Sequence, residues 1–187
     1  QKPLHVQVHT DLYGTSFVQG RFSNRLRRFM AALVLRRAER VRTVSEDIAD
    51  ALEKHGVVAP VTVLPIFVDI KRYEGMVRKK HPEWKLALLS VGRLEKEKRF
   101  EKRIDVVAQL HARGHDAGLM IVGSGGEAEH LKAYARAFHV ERFVRFISWV
   151  DDITPMLATA DLVLVPSQYE GYGMVIIEAL AAGVPVL

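Results

Sequence analysis

From Leu86 to the end of the chain, short and almost wholly apolar runs alternate with segments of helical period, and turn residues punctuate each exchange. Leu86 to Val91 is one such run and stops at Gly92. A helix is expected from about Lys98 to Arg113, closed by Gly114 in the position after its C-cap. Gly118 to Val122 forms the next run, followed by Gly123-Ser124-Gly125-Gly126 and a helix to about His139. Val144 to Trp149 and Leu162 to Val165 read as strands, with a short helix from Ile153 to Ala160 between them. A last helix from Gly173 to Ala182 leads into a strand over 183–187. Strands that read apolar on both sides are buried on both sides. Their alternation with helices constrains the fold class to α/β: a parallel sheet, right-handed crossovers and helices on both faces.

The earlier part of the chain shows the same logic less regularly. Leu4 to His9 alternates like a strand. Arg21 to Arg40 reads as a helix, with Phe22, Leu26, Phe29, Met30 and Leu33 on one stripe. Val41 to Val44 is a short strand, and Ser45 with Glu46 and Asp47 opens a helix that ends near His55-Gly56. Val61 to Pro65 is another strand. Beyond Ile66 the pattern dissolves into charge and turn residues as far as Trp84. Two units are therefore expected, over 1–66 and 85–187, joined by a linker over 67–84. The chain opens at Gln1 and closes inside a strand, so it is expected to be a piece of a longer protein. With no cysteine among 187 residues, a disulfide scaffold, a thiolate nucleophile and a Cys-ligated metal site are all excluded. A net charge of +5 is mild and suits phosphate-bearing small molecules, nucleic acid or an acidic lipid surface alike.

In open parallel sheets, ligands sit beyond the C-terminal ends of the strands. Three sets of residues fall there. Arg93 follows the first strand of the second unit, and Lys98 comes five residues later. Together they offer a planar fork and a point charge to one anion, although Glu95 to Arg103 also reads as a solvated charge run. Gly123-Ser124-Gly125-Gly126 offers backbone amides to a phosphate, or simply makes a tight strand-to-helix turn. Ser167 to Gly173 follows the fourth strand and leads to Glu178 inside an apolar helix. A buried carboxylate in that setting needs a partner, such as ligand hydroxyls. The other reading is a partly exposed glutamate on the helix's polar face, paired with a nearby arginine.

These segments, in this order and spacing, resemble the retaining glycosyltransferases of family 4, whose GT-B architecture sets two Rossmann-like domains about a cleft. The likeness rests on Val91-Gly92-Arg93-Leu94 with Lys98, on Ile121 to Gly125, and on Phe146 to Val150. It continues through Ala160-Asp161 and Pro166 to Gly173, and ends with Glu178-Ala179 and Gly183 to Val186. Upstream, Val8 to Asp11 and Ala38 to Ser45 are similar to the closing half of the family's N-terminal domain. Two local departures are Pro65-Ile66-Phe67 where the family has Asn-Gly, and Arg99 where it has glycine after the lysine.

The resemblance implies a GT-B type fold truncated at both ends, with an acceptor-side first unit and a donor-nucleotide-binding second unit. It implies transfer of a hexose from a nucleotide-diphosphate sugar to an acceptor hydroxyl on a glycan, lipid-linked or polysaccharide precursor. No metal and no cofactor are expected beyond the donor itself, and this fragment alone is expected to be inactive. Arg93 and Lys98 would grip the donor diphosphate, Glu170 the sugar hydroxyls and Glu178 the ribose, while His9 would face the transferred sugar. Gly123, Gly125, Gly171, Tyr172, Gly173 and Met174 would line the donor site, and the backbone at Ile147 would meet the nucleobase. The location implied is cytoplasmic, and relatives with basic surfaces meet lipid-linked acceptors at the inner face of the membrane. That role would fall to the basic helix over 21–42, which residue patterning alone reads as a core helix with solubilising flanks. Two rivals are a non-catalytic sugar-nucleotide-binding module and a GT-B type epimerase. A nucleic-acid partner is not expected, for want of a motif or stacking platform.

Overall fold

The computed structural model describes residues 3–14, 22–167, 170 and 172–187, with only the backbone of 22–24. Two compact units emerge: Gln1–Phe67 with Tyr169–Gly173, and Val68–Gln168 with Met174–Leu187. In the first, strands β1 (His5–Val8), β2 (Arg40–Thr43) and β3 (Val61–Val63) form a parallel sheet in that order. Helix α1 (Phe22–Leu35) links β1 to β2, and α2 (Glu46–Lys54) links β2 to β3. Val8, Val41 and Val44 pack with Leu35, Ile48 and Leu52 as its core.

Helix α1 departs from the sequence expectation. Leu26, Phe29 and Met30 are more than half exposed, and Leu35 alone is buried among the side chains described in α1. The apolar stripe is therefore a surface of the described unit and not part of its core. The helix also stops at Leu35, because Arg40 already belongs to the ladder of β2. Ser45 stands at the N-cap of α2, but its hydroxyl makes no cap bond, and its carbonyl instead accepts from the Thr43 hydroxyl at 3.2 Å.

The second unit carries strands β4 (Leu86–Val91), β5 (Ala117–Val122), β6 (Val144–Ile147) and β7 (Leu162–Val163), all parallel, in the order β6-β5-β4-β7. Successive residues of each strand point to opposite faces. Ala87, Leu89, Met120, Val122 and Val163 enter one core, with α5 (Thr154–Thr159) and α6 (Met174–Ala181). Leu88, Leu119, Ile121 and Val144 enter the other, with α3 (Phe100–Ala112) and α4 (Ala128–Ala137). Helices thus cover both faces, as the apolar strands require.

Three boundaries differ from expectation for local reasons. Arg99 adopts a left-handed φ of 51°, so a 3-10 turn over Lys96–Lys98 precedes α3 instead of continuing into it. β6 ends at Ile147, whose carbonyl accepts the last ladder bond from the Gly123 amide at 2.9 Å. The closing stretch pairs through one bridge, Val163 to Val186, since Pro185 brings no amide.

The stretch expected to be a linker lies largely with the second unit. Tyr73, on a 3-10 turn over Ile70–Tyr73, and Trp84 are both buried in its core. Arg78 donates to the carbonyls of Gly183 and Ala160, which pins the segment between them. Trp84 stacks on His81 at 4.3 Å and lies under the Arg145 guanidinium. Its other side is possible only because residue 118 has no side chain: a Cβ there would stand 1.9 Å from the indole. Gly118→Ala should therefore displace a ring held from several sides and destabilise the protein by about 1–3 kcal/mol. A shift of the urea midpoint would show it, and an unchanged midpoint would mean that the indole is free to move.

Candidate functional site

The strand order places β4 between β5 and β7. The segments that follow these three strands therefore leave one edge of the sheet side by side. Backbone bonds knit the first two together. The Gly92 amide donates to Val122, Leu94 donates to Ser124 at 2.9 Å, and Glu127 donates back to Leu94 at 3.0 Å. A Cβ on Gly123 would lie 1.9 Å from the Gly92 carbonyl oxygen, and one on Gly125 would lie 2.4 Å from that of Leu94. The glycines are thus required by the approach of two main chains. Among the described residues, no acceptor takes the amides of Ser124, Gly125 or Gly126. The loop is therefore a tight strand-to-helix turn whose amides at 124–126 have no acceptor among the described residues.

Arg93 stands exposed at the end of β4, and Lys98 is half-buried at the close of the 3-10 turn. Ile147 sends its side chain into the core, and its carbonyl closes the ladder on Gly123. The structure thus draws Arg93, Gly123, Gly125 and Ile147 to one edge of the second unit. Ser167, beyond β7, buries a hydroxyl with no hydrogen-bond partner among the described residues.

Glu178 and Met174 also belong to the second unit; Met174 is exposed at the start of α6. Glu178, one turn on, is half-buried beside a group that the sequence reading missed. Arg72 pairs with Asp152 at 2.6 Å and stands over the Tyr73 ring, and Asp152 in turn accepts from the amide and hydroxyl of Thr154. Tyr73 buries its hydroxyl without a partner at hydrogen-bonding geometry. Burial, followed by the charge of Glu178, pushes that hydroxyl up to about 12. Burial pushes the Glu178 carboxyl up as well, with the Tyr73 hydroxyl and Arg72 opposing and Asp152 adding to the rise. Arg72, paired with Asp152, thus acts on Glu178 as a nearby charge, and Tyr73 stands beside it. The signal for Tyr73 was its three-residue spacing to Met76 in an otherwise charged stretch.

The remaining candidates count with the first unit. His9 is exposed just past β1, 3.3 Å from the Gln7 side chain. Glu170 is half-buried, Tyr172 packs against the first unit's core, and Gly173 is buried with a left-handed φ of 71°. Gly171 lies outside the described residues. One group of metal-ligating types occurs among the described residues: Glu101, Glu127 and His130, with ligand atoms within 4.8 Å of one another. His130 Nε2 and a Glu101 carboxylate oxygen lie 3.3 Å apart there.

The profile described as glycosyl transferases group 1 matches residues 74–187, and that of glycosyltransferase family 4 matches residues 1–72. The chain is 32% identical over 144 residues to a GDP-mannose-dependent alpha-(1-6)-phosphatidylinositol dimannoside mannosyltransferase of Mycobacterium tuberculosis, covering 74% of this chain and 37% of that protein. It is 34% identical over 131 residues to a glycogen synthase of the same organism, covering 69% of this chain and 31% of the relative. Among solved structures, Anabaena HepE in complex with UDP and glucose aligns with a TM-score of 0.77 at 25% identity, over 99% of this chain and 52% of that one. WaaG, a glycosyltransferase involved in lipopolysaccharide biosynthesis, aligns with a TM-score of 0.75 at 24% identity, over 97% and 55%. The chain spans 28–37% of the length of the first curated relatives it matches. The fold is of GT-B type.

The environment of Glu178 carries a pH signature. Its raised carboxyl holds a proton more tightly in the folded state than in the unfolded chain, where an ordinary glutamate titrates near 4.5. Stability contributed by this group is present below that value and is lost as pH rises through the raised folded value. In Glu178→Gln the loss is absent. From about pH 4 to about pH 7 the stability gap should therefore widen in the variant's favour. Urea unfolding across that range checks it, and a gap constant with pH would contradict the burial of the carboxylate.

Proposed function

We propose, for a chain that belongs to the glycosyl transferases group 1 family, that the whole protein moves a hexose from a nucleotide-diphosphate sugar to an acceptor hydroxyl, with retention and without a metal ion. The observation that carries this reading is the single edge to which the loops after β4, β5 and β7 are brought in the second unit. There Arg93 and Lys98 bind the diphosphate, and their positive charge stabilises the leaving group as the glycosidic bond breaks. The free amides around Gly123 and Gly125 add neutral donors to the same anion, and the backbone at Ile147 faces the nucleobase. Glu178 accepts from the ribose hydroxyls. Its raised affinity for a proton is relieved when those hydroxyls supply the hydrogen bonds that burial withdrew. Glu170, with the amides from Gly171 to Met174, holds the donor sugar, and His9 faces it. The names of the structural neighbours, with UDP and glucose in one, support this class of donor.

A second reading concerns the acceptor. The apolar stripe of α1 is exposed, and Arg25, Arg27, Arg28, Arg36 and Arg37 lie along or just beyond the same helix. A helix of that make-up suits an anionic lipid surface. A lipid-linked acceptor agrees with the phosphatidylinositol substrate in one relative's name. The cytoplasmic face of a membrane is the place such a surface would serve.

Three experiments test these readings. Calorimetric titration of the whole protein, without metal, against UDP-, GDP- and ADP-sugars should show one that binds, and Glu178→Ala should weaken it. In the same protein Arg93→Ala should lower kcat/KM by about 10- to 150-fold, the worth of one charge-assisted contact of about 1.5–3 kcal/mol. Undiminished turnover would remove Arg93 from the diphosphate. For the acceptor side, vesicles containing phosphatidylserine should retain the whole protein at low salt and release it at high salt. Equal recovery from neutral vesicles would leave the arginines without this role.

A further inference from the structure

Arg103, at the end of the first turn of α3, is only 1% exposed and heads the largest fully buried side chains of the described residues. A guanidinium keeps its charge at any ordinary pH, so burial to this depth requires several well-placed acceptors. Its Nε donates to the Leu164 carbonyl at 3.1 Å, and its Nη1 donates to the Lys98 carbonyl. Its planar face lies 4.1 Å from the centre of the Phe100 ring. Leu164 directly follows β7, and the same carbonyl accepts from the hydroxyl of Ser90 on β4 at 2.8 Å. One buried fork therefore fastens the turn that bears Lys98 to the residue that follows β7.

That turn needs a fastening. It is a three-residue 3-10 segment, and it leaves through Arg99 in a left-handed conformation that side chains disfavour. Its charged residues point outward, with Lys96 and Glu97 exposed. The bond from Arg103 to the Lys98 carbonyl fixes the main chain at the residue whose ammonium is to meet an anion. We propose that Arg103 is a positioning residue for Lys98. By holding the Lys98 carbonyl against the end of β7, it sets the point from which the ammonium reaches the donor diphosphate. This rests on the assignment of Lys98 to the diphosphate made above. Ser90 shares the Leu164 acceptor but not the turn, so it supplies the comparison for a purely structural role.

A double-mutant cycle on the whole protein separates the two roles. Affinity is measured by calorimetry with UDP, GDP and ADP in turn, using the nucleotide that binds. Lys98→Ala should weaken binding about tenfold in the wild-type background, as loss of a charge-assisted contact does. Arg103→Met should weaken it by a similar factor. In the Arg103→Met background, Lys98→Ala should then cost less than about threefold, because the ammonium is already misplaced. Ser90→Ala should leave the tenfold effect of Lys98→Ala intact. A full tenfold effect in the Arg103→Met background would overturn the proposal while leaving the donor site standing. No effect of Lys98→Ala in the wild-type background, or no binding by any of the three nucleotides, would overturn the donor assignment and the proposal together. Should circular dichroism show Arg103→Met unfolded, Arg103→Lys takes its place in the cycle: it keeps the buried charge but replaces the planar fork, whose Nε and Nη1 reach separate carbonyls, with one compact ammonium.

Discussion

The second unit depends on two main chains passing closer than any side chain allows. Gly123 and Gly125 bring the loop after β5 against the loop after β4, and three backbone hydrogen bonds hold the approach. Because the main chain does this, the side chains of Arg93 and Ser124 are not spent on structure. The same contact ends the sheet: beyond Gly123 the chain turns away, and β6 has no partner past Ile147. A shape-determined edge with unspent charge and free amides is what binding an anion without reorganisation demands.

The sheet and its flanking helices are readable in the sequence because burial on both faces leaves few polar residues to confuse the period. β4 and β5 are such strands, and their bounds agree to within a residue with the pattern. The loops that follow them were readable for the same reason, since an abrupt change to Arg93 or Gly123 marks the point where the sheet meets solvent. The first unit is less legible. Its strands are only three or four residues long, and an apolar stripe such as that of α1 reads the same whether it is covered or bare.

Charge hid the rest. Arg103 closes a run of alternating acids and bases from Glu95. Its spacing to Phe100, Ile104 and Val107 sets it on the buried face of α3, unlike exposed Lys102, but the charge of its neighbours makes the whole run read as solvated. Its burial follows from the carbonyls above it, which belong to residues five positions back and 61 positions on. Such partners leave no sequence signature, because every residue has a carbonyl. Tyr73 is a similar case. Its place beside Glu178 comes from a 3-10 turn packed against α6, inside a stretch whose composition reads as a tether. The expectation that Glu178 needs a partner came from its apolar helix, but the sequence could not name Tyr73 and Arg72 as its neighbours from across the unit.

The two tryptophans of the chain both fall in the second unit and divide it optically. Trp84 is buried between His81 and Arg145 near the N-terminal ends of the strands, whereas Trp149 is 60% exposed, two residues past β6 at the opposite edge. A sandwiched indole emits at shorter wavelength than a hydrated one, so the protein's fluorescence is a sum of two separable colours. The red component reports on the edge where the loops meet, and the blue component reports on the integrity of the core beneath it. A quencher dissolved in water reaches the first long before the second. Events at the loops and loss of the fold can therefore be told apart in one spectrum, without attaching a label.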